Sequence, residues 1–368
     1  MSTLKVNKLR DTAGSADAIT LDPNGGAVLA GVTSVTSVKV GAAVTISESG
    51  IEASGIGITC ANINGAQIGG RRNLFTNGAM QIAQRATSST SGGYVSLDRW
   101  YVNLSGGSAT FSQETNSNPS ETGGIQKYAR YNVSTSSDYT HIRQRIEDVT
   151  SVPAGTVIIS FYAKGTAPSG GLYVSTEQNF GSGGSSSVDG TAVLVTSSLT
   201  SSWVRYTAQI TVGSVDGKTI GAGSYLGVAI GQYSNTGGTA YDLNITGVQL
   251  EIGTQATTFE NRSYGEELNL CKRYYQSYQP YYNAAQYLIT NEIASNTVFF
   301  HPEMRATPTA THGQLECREN SDGFTAVSVS SNYLLNSKGI NFVVTKTGAA
   351  TSDSFIIFVN NAEYGAEL

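Results

Sequence analysis

Tyrosines are concentrated in one short stretch of the sequence. Residues 264–287 contain seven of the 20 tyrosines: Tyr264, Tyr274, Tyr275, Tyr278, Tyr281, Tyr282 and Tyr287. A tyrosine ring has an apolar face and a polar edge, so it can stack on the CH face of a sugar and still make hydrogen bonds. Packing between domains is the alternative, and it suits Tyr274 and Tyr275 best. We predict that Tyr278, Tyr281 and Tyr282 contribute to a glycan-binding surface.

Residue patterns that are typical of catalytic sites do not occur in the sequence. The three histidines, His141, His301 and His312, are scattered, and none belongs to an HExxH motif. There is no GxSxG motif and no glycine-rich phosphate-binding loop. We therefore expect no catalytic residue, no cofactor and no metal site.

Charge and cysteine content exclude several classes of protein. The net charge is −5 and no basic block occurs, which argues against a nucleic-acid partner. No apolar run is long enough to cross a membrane, so we expect no membrane insertion. The cysteines Cys60, Cys271 and Cys317 are too far apart to suggest a disulfide framework. Folding in a reducing cytoplasm fits this pattern.

The composition favours many short strands over long helices. Charged residues make up only 13% of the chain, whereas glycines number 42. Residues 157–164 and 202–212 alternate apolar and polar side chains, as a strand with one buried face does. Similar segments separated by Gly, Ser and Asn clusters fill residues 73–262. They predict an antiparallel jelly-roll β-sandwich in this range.

Residues 1–72 have a different character. They alternate small β-branched residues with Gly, Ala and Ser, and the first aromatic residue of the chain is Phe75. Such a segment cannot build a core alone, so we predict an intertwined β leader in a parallel homotrimer. Lys5, Lys8, Arg10 and Asp11 cluster near its start. We predict that they dock on another protein.

The sequence after the sandwich begins with the best helix candidate. Residues 263–278 start with Ser263, which can act as the N-cap, and Glu266 follows three residues later. We therefore predict a connector helix over 263–278. Further strand patterns predict a small C-terminal β tip domain over 279–368. Trp100 and Trp203 lie inside predicted strands, so packing is favoured for them over a role as sugar platforms.

Three sequence blocks resemble tail fibres of marine tailed phages, in particular cyanophages. MSTLKVNKLRDTAGSADAITLDPNGGAVLAG resembles the start of their virion fibre proteins. RRNLFTNGAMQIAQR with LDRWYV, and VQLEIGTQATTFENRSYGEELNLCKRYYQ, resemble the opening and closing of a carbohydrate-binding-like jelly roll in such fibres. The resemblance implies an elongated trimeric virion fibre. Its N-terminus would dock on a tail, neck or baseplate protein, and its distal part would bind a bacterial surface polysaccharide.

Three other functions remain open at this stage. One is a secreted glycan-binding module of a bacterial enzyme, which the lack of an apolar signal core at the N-terminus disfavours. The chain could be a structural neck, collar or baseplate fibre that binds no receptor. It could also be a short polysaccharide depolymerase, which requires two opposed carboxylates. The acids that could supply such a pair are Asp98, Glu147, Asp148 and Glu251.

Overall fold

The computed structural model divides the chain into two compact units, Met1–Ala61 and Asn62–Leu368. It describes backbone and side chains for residues 71–135, 139–233, 239–278, 299–311, 335–340 and 362–368. Elsewhere it describes the backbone of the strands whose bounds follow. All paired strands are antiparallel, and the predicted all-β fold is confirmed.

The first unit consists of two three-stranded sheets. One has the order β1-β2-β3 and the other the order β4-β5-β6. The strands are β1 (Lys8–Arg10), β2 (Asp17–Leu21), β3 (Ala27–Leu29), β4 (Ser37–Val40), β5 (Val44–Ser47) and β6 (Gly50–Ala53). The β character predicted for the leader is thus present. The unit ends at Ala61, and β7 (Asn62–Ile63) and β8 (Ala66–Gln67) belong to the second unit.

Two six-stranded sheets form the central β-sandwich. The first sheet has the order β10-β13-β19-β15-β16, with β17 also paired to β15, and the second has the order β18-β14-β20-β12-β11-β9. Their bounds are β9 (Ser88–Ser89), β10 (Tyr101–Asn103), β11 (Ser108–Thr115), β12 (Lys127–Thr135), β13 (His141–Ile146), β14 (Gly155–Thr166), β15 (Leu172–Asn179), β16 (Val188–Asp189), β17 (Val193–Thr196), β18 (Val204–Val212), β19 (Tyr225–Gly231) and β20 (Tyr241–Ile252).

Alternating side chains build the core of the sandwich. In β18, Ala208, Ile210 and Val212 are buried, whereas the residues between them are exposed. The inward faces of both sheets meet in one apolar cluster that includes Trp100 and Phe161. In β14 the predicted inward residues Val157, Ile159, Phe161 and Ala163 are all buried, although Ile158 and Ser160 are buried as well. In β18 the alternation predicted the buried face from Ala208 to Val212, whereas Val204, at the start of the strand, is exposed.

The two ends of the sandwich are joined by hydrogen bonds. The backbone N–H of Asn73 donates to Oε2 of Glu260 over 2.9 Å, and Nδ2 of Asn73 donates to the carbonyl oxygen of Val248 over 3.0 Å. Arg262 donates to the carbonyl oxygens of Asn73 and Phe75. The first and last segments of residues 73–262 therefore lie together, as expected for a jelly roll.

Helix α1 (Tyr264–Lys272) follows the sandwich and is shorter than the predicted 263–278 segment. Ser263 is its N-cap, since its Oγ accepts a hydrogen bond from the backbone N–H of Glu266 over 3.3 Å. The helix ends at Lys272 because β21 (Tyr275–Tyr278) pairs with the last strand of the chain. In the part of the chain that the structure describes, no helix is both long and apolar enough to span a membrane.

The C-terminal region forms three small sheets. Their orders are β21-β29-β23, β22-β27-β26 and β25-β24-β28. The strands beyond β21 are β22 (Ile293–Phe299), β23 (Thr309–His312), β24 (Leu315–Glu319), β25 (Phe324–Ala326), β26 (Leu334–Asn336), β27 (Gly339–Thr345), β28 (Phe355–Val359) and β29 (Ala362–Gly365). The region is all-β, as the sequence predicts, but it belongs to the same compact unit as the sandwich, so a separate tip domain over 279–368 stays a prediction.

Candidate functional site

The outer face of the first sheet carries a cleft along its central strands. On β19 the inward residues Leu226, Val228 and Ile230 fill the core, so Gly227, Ala229 and Gly231 face outward and form the floor of the cleft. The register aligns each floor residue with one residue of β13 and one of β15: Gly231 with His141 and Tyr173, Ala229 with Arg143 and Ser175, and Gly227 with Arg145 and Glu177.

Glycine occupies the two floor positions 227 and 231 for different structural reasons. Gly231 has a φ of +153°, and a Cβ there would lie 2.7 Å from Cα of His141, so the fold itself requires glycine. At Gly227, a Cβ would meet Cε2 of Tyr225 at 3.4 Å and Cβ of Glu177 at 3.6 Å, which are ordinary contacts. The backbone therefore does not require glycine at 227, and its lack of a side chain leaves the floor open.

Three tyrosines form the aromatic side of the cleft. The rings of Tyr173 and Tyr233 are 5.9 Å apart with an interplanar angle of 34°, and Tyr139 packs edge-on against Tyr233 at 6.3 Å. Tyr139 is 47% exposed and Tyr233 40% exposed. Large aromatic rings that are held by neighbours and open to solvent are suited to stacking on a flat ligand.

Arg143 and Glu177 form the charged side of the cleft. Nη1 of Arg143 lies 3.3 Å from Oε2 of Glu177, and the guanidinium carbon lies 4.5 Å from the ring centroid of Tyr101. The hydroxyl of Tyr225 donates to Oε1 of Glu177 over 3.3 Å. Burial raises the pKa of Tyr225, so this hydroxyl keeps its proton. These contacts hold one cation and one carboxylate in fixed positions beside the floor.

His141 contributes a neutral polar edge to the cleft. Burial, together with the nearby Arg143 charge, lowers the pKa of His141 to about 3. Its Nε2 lies 3.4 Å from Nδ2 of Asn103, a distance at which the amide can donate to an uncharged ring. The imidazole is therefore uncharged at neutral pH, and it adds hydrogen-bonding capacity without adding charge.

The cleft has a volume of about 210 Å³ and adjoins a shallower cavity of about 530 Å³. Both cavities are lined by Tyr173, Asp189, Gly190 and Tyr233. These four residues therefore lie where the two cavities meet. Asp189 comes from β16, where it pairs in register with Glu177.

Of the three tyrosines predicted from sequence, the structure describes Tyr278 and places it outside this cleft. Tyr278 ends β21 and is only partly exposed. Its hydroxyl donates to Oε1 of Gln276 over 2.5 Å, and its ring packs edge-on against Tyr364 at 5.9 Å. Tyr281 and Tyr282 lie outside the described residues, so their proposed contact with a glycan stays a prediction.

The predicted docking residues belong to the first unit. Lys8 and Arg10 bound the strand Lys8–Arg10, which pairs with Asp17–Leu21. Their side chains, and the residues Lys5 and Asp11, lie outside the described part of the chain. The docking role assigned to these four residues stays a prediction.

Both tryptophans pack inside the sandwich unit. Trp100 is completely buried, and its Nε1 donates to the carbonyl oxygen of Asn77 over 3.1 Å. Trp203 is 7% exposed, and its Nε1 donates to Oδ1 of Asn116 over 3.2 Å. The packing role that the sequence favoured for both residues agrees with these positions.

The acids considered for a catalytic pair have separate sets of partners. Asp98 is buried and accepts a hydrogen bond from the backbone N–H of Gln84, and Glu147 accepts from Arg273 and Tyr274. Asp148 accepts from the backbone N–H of Thr150, and Glu251 accepts from the backbone N–H of Thr257. Among the described residues, no group of three or more His, Cys, Asp or Glu side chains could hold a metal ion.

Sequence reasoning missed the cleft because its residues are distant in the chain. Tyr139, Tyr173 and Tyr233 are separated by more than 30 residues each, so no local cluster marks them. The usable signal was the pattern of β19, YLGVAIG, in which one face is Leu, Val and Ile and the other is Tyr followed by Gly, Ala and Gly. A strand with a bare outer face between polar neighbours indicates a shallow binding surface.

Comparison with known proteins gives structural matches only. No protein-family model and no curated protein matches the chain. A putative sugar-binding protein from Bacteroides thetaiotaomicron matches 49% of this chain and 100% of its own, with 14% identity and a TM-score of 0.30. A structure described as CBM4 matches 48% of this chain and 98% of its own, with 16% identity and a TM-score of 0.31.

A third match is the enzymatically active domain of tailspike protein 4 from bacteriophage CBA120. It covers 49% of this chain and 21% of that chain, with 14% identity and a TM-score of 0.29. No residue of the cleft is assigned by these matches.

Proposed function

We propose that this protein binds a glycan in the cleft on the outer face of the first sheet. The observation that carries the proposal is the open floor of Gly227, Ala229 and Gly231 between an aromatic side and a charged side. Sugars combine apolar CH faces with many hydroxyls, so they need both kinds of surface at once.

Each part of the cleft has a defined task in this proposal. The exposed rings of Tyr139 and Tyr233 stack on a sugar face. The fixed Arg143 and Glu177 exchange charge-assisted hydrogen bonds with the hydroxyls. The small floor residues let the sugar approach the sheet, because no side chain occupies that space.

The sequence resemblance supports a more specific role, a phage virion fibre. In this role the protein is a homotrimer on the particle, its N-terminal segment docks on another virion protein, and the cleft or the distal tip contacts a bacterial surface polysaccharide. A structural fibre without receptor binding is the alternative, and the aromatic cleft favours the receptor-binding role. Light scattering tests the trimer, which contains three chains of 38.6 kDa; a stable folded monomer would contradict it.

Binding to a glycan array tests the proposed function. The purified chain should bind one or more glycans, and Tyr233→Ala or Tyr139→Ala should weaken binding about fivefold to tenfold, as loss of a stacking contact of roughly 1 kcal/mol implies. Tyr264→Ala is the matched control, since Tyr264 is 59% exposed on α1 and does not line the cleft. Equal binding by all three variants would sink the assignment of the cleft.

A further inference from the structure

The second cavity beside the cleft is bounded by the segment that follows β16. Its lining consists of Asp189, Gly190, Thr191 and Ala192, together with Tyr173 and Tyr233. The segment is fixed to the sheet, because the backbone N–H of Gly190 donates to the carbonyl oxygen of Thr176 over 2.8 Å. Because this edge is held against β15, the second cavity continues the cleft across the sheet.

The two cavities together cross four neighbouring strands. The order β13-β19-β15-β16 contains three steps between strands. At 4.7–4.9 Å a step this is roughly 14 Å, the length of about three linked sugars. The small side chain of Ser175 lies between Tyr173 and Glu177 on β15, so it leaves a passage from the floor towards β16.

Asp189 is the free charge at the junction of the two cavities. It is exposed, and among the described residues it has no ion-pair partner, whereas Glu177 is neutralised by Arg143. His141 is uncharged, so the lining groups of the cleft carry one positive and two negative charges at neutral pH. This excess of negative charge opposes anionic sugars and leaves a carboxylate that accepts hydrogen bonds from hydroxyls.

We infer that Asp189–Ala192 forms a second subsite and that the combined site takes an uncharged oligosaccharide of about three or more residues, one of which donates hydroxyl hydrogen bonds to Asp189. This inference rests on the proposed function of the cleft. Because Tyr173 and Tyr233 line both cavities, one ligand that contacts them occupies a sugar position in each cavity. A single sugar fills only one position and binds more weakly.

An array of neutral, amino and uronic-acid oligosaccharides, each from one to six residues long, tests this inference. Wild-type protein should bind neutral chains of three or more residues at least tenfold more tightly than the corresponding monosaccharides. Asp189→Asn should weaken this binding about tenfold, because the substituted amide accepts weaker hydrogen bonds than a carboxylate. Asp216→Asn is the matched control, since Asp216 is also exposed and lines neither cavity.

The outcomes separate the subsite from the proposed function. Equal affinity for monosaccharides and trisaccharides, or unchanged binding by Asp189→Asn, would overturn the second subsite. Preference for uronic acids or for cationic amino sugars would overturn the uncharged class of ligand. If the folded wild-type chain binds no sugar of any length on the array, the proposed function fails instead. Thermal melting of each variant excludes unfolding as the cause of a lost signal.

Discussion

Arg143 and Glu177 form an ion pair across β19, with 3.3 Å between Nη1 of the arginine and Oε2 of the glutamate. The strands that carry them are not neighbours, because β19 lies between β13 and β15. The pair can form only because β19 presents Ala229 and Gly227 at this level of the sheet. The Arg143–Glu177 pair on the charged side therefore depends on the small residues of the cleft floor.

Glu177→Gln should weaken glycan binding more than it weakens folding. The variant keeps the shape of the side chain but removes the charge that holds Arg143. A partly exposed ion pair contributes only about 0–1 kcal/mol to stability, so the free energy of unfolding should change little. Affinity for the best array glycan should fall about tenfold, because the guanidinium is no longer fixed. Calorimetric titration and urea denaturation measure the two effects.

The control for this variant is Asp242→Asn on the other sheet. Asp242 pairs with Arg130 over 2.8 Å between Oδ2 and Nη2, and neither residue lines the cleft. The control should show the same small stability change and unaltered affinity. A loss of affinity that is equal in both variants would mean that the charged side takes no specific part in binding.

Gly227→Ala and Gly231→Ala should differ sharply in stability. At 227 the added Cβ makes ordinary contacts, so the free energy of unfolding should change by less than about 1 kcal/mol. At 231 the φ of +153° and a 2.7 Å approach to His141 both oppose a side chain, and the cost should be roughly 2 kcal/mol or more. Chemical denaturation of both variants tests this, and similar values would contradict the account of the floor.

Local patterns in the sequence were sufficient to predict the sandwich. The alternation in residues 202–212 identified the buried Ala208, Ile210 and Val212. The end of the helix was not predictable in the same way, because Tyr275–Tyr278 becomes a strand only through pairing with Ala362–Gly365, almost 90 residues later. Strand pairing over such distances leaves no local signal.

The position of the binding cleft could not be predicted from local sequence patterns either. The cluster of tyrosines after residue 263 drew attention to Tyr278, whose ring packs against Tyr364 in the structure. The exposed pair Tyr139 and Tyr233 is brought together only by the register of β13, β19 and β15. A local count of aromatic residues therefore cannot distinguish packing from a surface, whereas strand register can.

Asp98 should make the protein more stable as the pH falls from 7 to 5. Burial raises the pKa of Asp98 to about 6, although hydrogen bonds from Gln84 oppose the shift. Because the unfolded value is lower, at 3.8, the folded state binds the proton more tightly. This stabilisation is complete below the unfolded pKa and is lost as the pH rises through 6. Its change between pH 7 and 5 should be on the order of 1 kcal/mol.

Protonation of His141 changes the stability in the opposite direction. The pH dependence of wild-type stability alone therefore does not isolate the contribution of Asp98. The folded pKa of His141, about 3, lies below the unfolded 6.5, and its contribution is lost as the pH falls below 6.5. The measurement is therefore the difference in unfolding free energy between wild type and Asp98→Asn from pH 5 to 7. His141 is present in both proteins and cancels. A difference that does not vary with pH would show that Asp98 is already ionised at pH 5.

Glu367→Gln should strongly destabilise the contact between the sandwich and the C-terminal strand region. Glu367 pairs with Arg99, whose side chain is only 2% exposed, and with Arg85 over 3.2 Å. Removing one partner leaves a buried guanidinium without its counter-charge, which should cost about 3–5 kcal/mol. The double variant Arg99→Met with Glu367→Leu should recover part of this loss, because it removes the most deeply buried charge pair. Arg85, whose side chain is 13% exposed and stacks on the Tyr275 ring, then remains as the unpaired cation. Urea denaturation of the single and double variants measures both values; a single-variant loss below about 1 kcal/mol would show that water or a neighbouring group already compensates Arg99.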